Sequence, residues 1–245
     1  MNSTIGIGVL GAGTVGGTLI ARLVDDHAAI AAKTGLDLQV KRVAVRDLDK
    51  ERTFTVADGV LTDDRLSVID DPEIDLVVEL MGGRDLAFDL VLAALEAGKP
   101  VVTANKELVA SRGAELIAAA ERSGVPFLFE AAVGGGIPII RPLSETLAGE
   151  PVERVLGIVN GTTNFILTKM SEDGADYAET LVEAQALGYA EPDPTADVSG
   201  ADAAAKAAIL ASLAFGTWVG LDDVYHEGID ALSPVDMAFA ADFGY

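Results

Sequence analysis

A short apolar run, Ile5–Leu10, ends on Gly11-Ala12-Gly13-Thr14-Val15-Gly16, and apolar residues then recur with helical spacing at Leu19, Ile20, Leu23 and Ile30. A buried strand, a glycine-rich turn and a helix in that order leave few folds open. The first glycine makes the tight turn, the second lets a ligand approach the backbone, and the third lets helix pack on strand. The free N–H groups of the helix N-terminus then face the turn and suit a pyrophosphate. Gly11, Gly13, Thr14, Val15 and Gly16 are therefore candidate dinucleotide-binding residues. The competing reading is a glycine-rich turn with no ligand.

The alternation continues. Leu38–Val45 and Ile74–Leu80 read as strands, the second after the turn Asp70-Asp71-Pro72. Leu86–Ala97 reads as a helix stopped by Gly98, Val101–Thr103 as a strand, and Leu108–Ser123 as a helix stopped by Gly124. Pro126–Glu130 starts a further strand. Strands alternating with helices predict a Rossmann-type α/β fold, a doubly wound parallel sheet covered on both faces. From about Val133 the pattern changes, with Gly134-Gly135-Gly136 as a junction. A domain boundary is expected near residue 130, giving a dinucleotide-binding domain over 1–130 and a second domain over 131–245. In the latter, Val152–Val159 reads as a strand, and Asn160–Met170 and Tyr177–Leu187 as helical. Phe215 and Trp218 read as core, and His27 and His226 as surface residues without partners.

With 245 residues, half of them hydrophobic, the chain can bury one large core or form two domains. It has no cysteine, which excludes disulfides, cysteine-based metal sites and thiol catalysis. No apolar run reaches the ~18 residues of a membrane span, and no basic leader precedes the first strand, so a cytoplasmic protein is the expectation. The formal charge of −22 makes nucleic acid and anionic membranes poor partners. Such acidity also suits a salt-rich cytoplasm, a hypothesis that maximal stability at low potassium chloride would sink. Ordinary solubility explains it equally well.

The second strand ends Ala44-Val45-Arg46-Asp47. An acid at this place holds the ribose hydroxyls of NAD, whereas an arginine fork suits the 2′-phosphate of NADP. Arg46 favours NADP and Asp47 keeps NAD open.

Four acids and two prolines shape the run Gly188–Asp202, which leads into an alanine-rich helix, Ala201–Phe215. Asp202 and Lys206 share a face of that helix. A lysine among apolar neighbours can carry out proton transfer, and it can equally be one half of a plain ion pair.

These segments, with Thr103-Ala104-Asn105-Lys106, Glu130-Ala131-Ala132-Val133-Gly134-Gly135-Gly136-Ile137-Pro138 and Asn160-Gly161-Thr162-Thr163-Asn164-Phe165-Ile166-Leu167, resemble homoserine dehydrogenase. The resemblance runs in order along the whole chain. It implies a Rossmann domain followed by a partial α+β substrate and dimerisation domain. It also implies NAD(P)-dependent interconversion of L-homoserine and L-aspartate 4-semialdehyde, within threonine, methionine and isoleucine biosynthesis. Lys206 matches the family's proton donor and acceptor. Asp202 and Asp197 match acids near the catalytic lysine and the substrate amino group. Glu191 and Thr162 match substrate-binding residues, and Lys106 matches a lysine between cofactor and substrate. Family members often hold a sodium ion, here matching Glu130, Val133, Gly135 and Ile137, partly through main-chain oxygens. The resemblance further implies a homodimer, with Ile139–Val159 contributing.

Each role has a plain structural alternative. Lys106 could pair with Glu107 or Glu130, and Glu130 could simply end a strand. Tyr245 falls short of the family's usual catalytic region, so a C-terminally incomplete member is expected. An inactive fragment and another NAD(P)-dependent reductase on the same fold stay open as alternatives.

Overall fold

The computed structural model describes residues 3–244. It divides into two compact units between Arg141 and Pro142.

The first unit holds a six-stranded sheet of β1 (Ser3–Leu10), β2 (Leu36–Ala44), β3 (Leu61–Thr62), β4 (Leu76–Glu79), β5 (Val101–Thr103) and β6 (Phe127–Leu128). Its order is β3-β2-β1-β4-β5-β6 and every pairing is parallel. The order reverses between β1 and β4, the place where such sheets take ligands beyond their carboxyl ends. The helices are α1 (Thr14–Asp25), α2 (His27–Thr34), α3 (Leu66–Asp70), α4 (Asp85–Glu96) and α5 (Lys106–Ser123).

Strand alternation sends side chains to two separate cores. Ile7, Val9, Val43 and Val78 pack with Ile20 and Leu23 of α1. Leu10, Ala44 and Val77 pack with Val68, Phe88, Leu95, Leu108 and Leu116 of α3, α4 and α5. The sheet is therefore covered on both faces, as the alternating pattern predicts.

Differences from the expectation are local. The helix expected over Val15–Lys33 breaks at Asp26, whose φ/ψ of −95/11 is not helical. Acids at a helix C-terminus oppose its dipole, and the Asp25-Asp26 pair sits there. His27, expected to lack a partner, lies 2.6 Å from Asp37 at the start of β2. The division into compact units falls after Arg141. The Glu130 carboxylate accepts from the N–H groups of Ile139, Ile140 and Arg141 at 2.7, 3.0 and 2.9 Å, which ties this stretch to the first unit.

The second unit is built from α6 (Gly161–Asp173), α7 (Tyr177–Ala186), α8 (Thr195–Val198), α9 (Ala201–Phe215) and α10 (Pro234–Asp242). Ile166, Met170, Ala184, Ala190 and Ile229 form its core. Among its described residues there is no strand. The strand expected over Val152–Val159 is irregular chain, with Leu156 82% and Ile158 80% exposed. An apolar run becomes a strand only when a neighbouring ladder takes its N–H and C=O groups, and the described residues supply none. Phe215, read as core, is exposed at the last turn of α9, and Trp218 is half-buried.

Candidate functional site

The glycine loop is shaped by what its residues lack. Gly11 has φ +97°, and a Cβ there would lie 2.8 Å from the Leu80 carbonyl. Its N–H donates to Ala44 O at 3.0 Å. A Cβ on Gly16 would stand 2.2 Å from Gly11 O, so only hydrogen lets α1 close on the loop. Gly13 differs, since a Cβ there would meet nothing within 4 Å. That open side lies at the α1 N-terminus, where Gly13 caps the helix without a side chain. The first intrahelical bond runs from Gly17 N–H to Gly13 O at 2.7 Å, leaving the N–H groups of Thr14, Val15 and Gly16 outside the helix ladder. Backbone donors beside open space are what a pyrophosphate needs.

Next to the loop is a cavity of about 200 Å³, lined by Val15, Leu80, Gly82, Gly83, Asn105 and Lys106 among others. Lys106 opens α5 one residue after the cap Asn105, whose Oδ1 accepts from Leu108 N–H at 3.1 Å. Under the cavity, Glu79 and Thr103 are fully buried. No motif assigns either residue a role; the one signal in the sequence is an acid ending the apolar run Leu76-Val77-Val78.

Arg46 is exposed just past the end of β2. Asp47 Oδ1 accepts from Asp49 N–H at 3.0 Å. Arg52 donates to the carbonyls of Leu48 at 3.2 Å and Lys50 at 2.6 Å, and to that of Asp47. Together these bonds hold the loop after β2 in a fixed shape.

Glu130 opens a short 3₁₀ turn, Glu130–Ala132, extended Val133 follows it, and Gly135 and Ile137 lie in a tight turn in which Ile137 N–H donates to Gly134 O at 3.0 Å. Burial disfavours the charged form of Glu130, but its three backbone hydrogen bonds together hold the carboxyl below the ordinary value of 4.5. Among the described residues no group of three or more histidine, cysteine, aspartate or glutamate side chains could hold a metal.

In the second unit a polar cluster joins residues far apart in sequence. Lys206 Nζ donates to Asp202 Oδ2 at 2.6 Å and to Val159 O at 2.5 Å, with the two side chains only 17% and 7% exposed. Asn160 Nδ2 donates to Asp202 Oδ2 at 2.8 Å and to Asp197 Oδ1 at 2.7 Å. Thr162 Oγ1 donates to Tyr189 O at 2.6 Å and stands 3.1 Å from Asp197 Oδ2. Thr162, Asp197, Asp202 and Lys206 are thus brought together. Glu191 is not; its side chain is exposed, and its main-chain carbonyl takes Gln185 Nε2 at 3.2 Å. Asn160, without an expected role of its own, links the two acids. As the N-cap of α6, its Oδ1 accepts from Thr163 N–H at 2.8 Å, which turns its amide donors toward the two acids.

An all-parallel sheet whose order reverses beside a glycine loop belongs to the dinucleotide-binding class of α/β proteins. The family model for the homoserine dehydrogenase NAD-binding domain matches residues 11–130, and the homoserine dehydrogenase model matches residues 138–245. The chain belongs to the homoserine dehydrogenase family. It is 52% identical to homoserine dehydrogenase of Corynebacterium glutamicum over 99% of this chain and 54% of that one. The crystal structure of a homoserine dehydrogenase from Thiobacillus denitrificans aligns with a TM-score of 0.91 at 48% identity, covering 100% of this chain and 57% of that one. A hyperthermophilic archaeal homoserine dehydrogenase in complex with NADPH aligns at 0.73 and 28% identity, covering 91% and 75%. The chain spans about half the length of the curated relatives it matches. Its first unit is a nicotinamide-dinucleotide domain. Among the described residues no helix is long and apolar enough to cross a membrane.

Proposed function

We propose that this chain takes part in the reversible NADP-dependent conversion of L-homoserine to L-aspartate 4-semialdehyde. The observation that carries the reading is the Lys206 ammonium, which is shielded from solvent and uses two of its three donors on Asp202 and Val159 O. Its third N–H is the proton a substrate oxygen would take as that oxygen becomes a hydroxyl, and Nζ would accept it back in the opposite direction. Asp202 holds the ammonium in place. Asp197, Thr162 and Glu191 would bind the substrate's polar end, where carboxylates suit an ammonium. Lys106 lines the first unit's cavity, where its ammonium suits a carboxylate or a developing alkoxide.

The first unit's loop fits a dinucleotide: backbone N–H groups, no obstructing Cβ at Gly13, and a neighbouring cavity. Gly11, Gly13, Thr14, Val15 and Gly16 would hold its pyrophosphate, and the bound cofactor would supply or receive the hydride. NADP is favoured over NAD because Asp47 is engaged with Asp49 N–H while Arg46 is exposed at the end of β2. The NADPH-bound archaeal neighbour supports the same choice. A sodium ion at the Glu130–Ile137 turn would rely on main-chain oxygens, because the Glu130 carboxylate already accepts from three backbone amides. Oxygens of a tight turn suit such a hard ion. Pairing of two copies through the second unit completes the proposal.

The test is formation of reduced nicotinamide when L-homoserine and NADP are added, compared with NAD and with alcohols lacking the amino acid end. Turnover restricted to homoserine and faster with NADP is expected. Absence of turnover in a chain shown to be folded would overturn the reading.

A further inference from the structure

Glu79 is the one fully buried carboxylate among the described residues, at 0% exposure. Its hydrogen-bond donors are all neutral: Met81 N–H at 2.7 Å and Gly82 N–H at 3.3 Å on Oε1, and the Thr103 hydroxyl at 2.6 Å on Oε2. Burying a carboxylate among neutral donors is costly, and packing alone would be served better by an apolar residue.

What the carboxylate organises is the cavity. Thr103 Oγ1 accepts from Asn105 N–H at 2.9 Å, and Asn105 Nδ2 donates to Gly83 O at 2.7 Å. The bonds close a ring, Glu79 to Thr103 to Asn105 to the Gly82-Gly83 loop and back to Glu79. Gly82 and Gly83 form one wall of the cavity, and Asn105 with Lys106 forms another. Both glycines have positive φ, so nothing in their own side chains fixes that wall. In this fold the adenosine ribose lies at the end of β2, which places the other half of the dinucleotide on the β4–β5 side, above this ring.

We propose that Glu79 is a positioning residue that sets the cavity walls for the nicotinamide half of the cofactor; this rests on the dinucleotide reading above. The test measures binding of NADPH and of adenosine 2′,5′-bisphosphate, which carries the adenosine half alone, to the whole chain. Glu79→Gln should weaken NADPH about tenfold, the scale of losing a hydrogen bond to a charged group, and leave adenosine bisphosphate within about twofold. Thr103→Val, which keeps the carboxylate and cuts the ring, should give the same split, and Thr103→Ser should restore NADPH affinity. If Glu79→Gln does not fold, the two Thr103 variants decide the matter. Equal losses for both ligands, or no loss for either, would overturn the proposal. Failure of the unsubstituted chain to bind either ligand would overturn the dinucleotide reading and the proposal with it.

Discussion

At the glycine loop the important atoms are absent ones, whereas the Asp202–Lys206 cluster is built from charged and polar side chains that hold one another and two main-chain carbonyls. The loop presents unused backbone donors beside open space at Gly13. The cluster's members hold one another: Asn160, Thr162, Asp197, Asp202 and Lys206 are linked by hydrogen bonds of 2.6–3.1 Å. A backbone site tolerates side-chain changes except where a Cβ collides. A site of compensated charges loses its balance when any one member is removed.

The contrast is broken most directly at Lys206. Lys206→Ala should lower kcat about 10²–10⁴-fold, the range for general acid–base groups, with KM for the substrate little changed. An unchanged kcat would return Lys206 to a plain ion pair. The variant also leaves Asp202 buried without its cation, so the melting temperature should fall, as thermal unfolding followed by circular dichroism would record.

Two glycines sharpen the comparison from the other side. Gly16→Ala puts a methyl 2.2 Å from Gly11 O, a backbone atom that cannot swing away. It should cost about 1–3 kcal/mol of stability and abolish measurable NADPH binding. Gly13→Ala meets no neighbour and keeps an ordinary φ of −75°. Its stability should change by less than about 0.5 kcal/mol, while NADPH binding weakens because the methyl fills the ligand's space. Denaturant unfolding and cofactor titration on the same two variants separate these outcomes. Equal stability losses would show that the loop serves the fold alone.

The same difference explains what could be read from the sequence. Gly11, Gly13 and Gly16 act through local geometry, and their spacing between strand and helix is visible along a few residues. The parallel sheet was legible for the same reason, through period and turn residues at Gly98 and Gly124. Glu79 and Asn160 act across the fold: Glu79 reaches Thr103, and Asn160 reaches Asp197 and Asp202. Nothing local marks an acid ending an apolar run as a hydrogen-bond hub. Val152–Val159 failed as a strand for a related reason, since a strand needs a paired neighbour elsewhere in the fold and the described residues supply none. Yet Val159 O still serves the site, because it accepts from Lys206.

A smaller effect is expected at Asn160, which both caps α6 and donates to two acids. Asn160→Ser retains a good cap and loses the span to the acids, whereas Asn160→Ala loses both. The alanine variant should be less stable than the serine variant by about 1 kcal/mol in chemical denaturation. Both should impair turnover similarly. If serine restores activity as well as stability, the amide's link to Asp197 and Asp202 is dispensable.

The mildest test concerns Glu130, whose carboxyl is held below its ordinary value in the folded chain by the N–H groups of Ile139, Ile140 and Arg141 acting together against burial. Because the folded value is the lower one, the unfolded chain takes up the proton first as pH falls. The stabilisation is therefore fully present above the ordinary value of 4.5 and is lost as pH drops from there through the folded value. Glu130→Gln should remove that part of the acid dependence while leaving the protein's behaviour near neutrality with a constant, pH-independent loss. Melting temperature followed from neutral to acid for both chains would record it as converging curves. Parallel curves would mean that the carboxylate is not what ties residues 130–141 to the first unit, and that the turn is held by its backbone alone, as the glycine loop is.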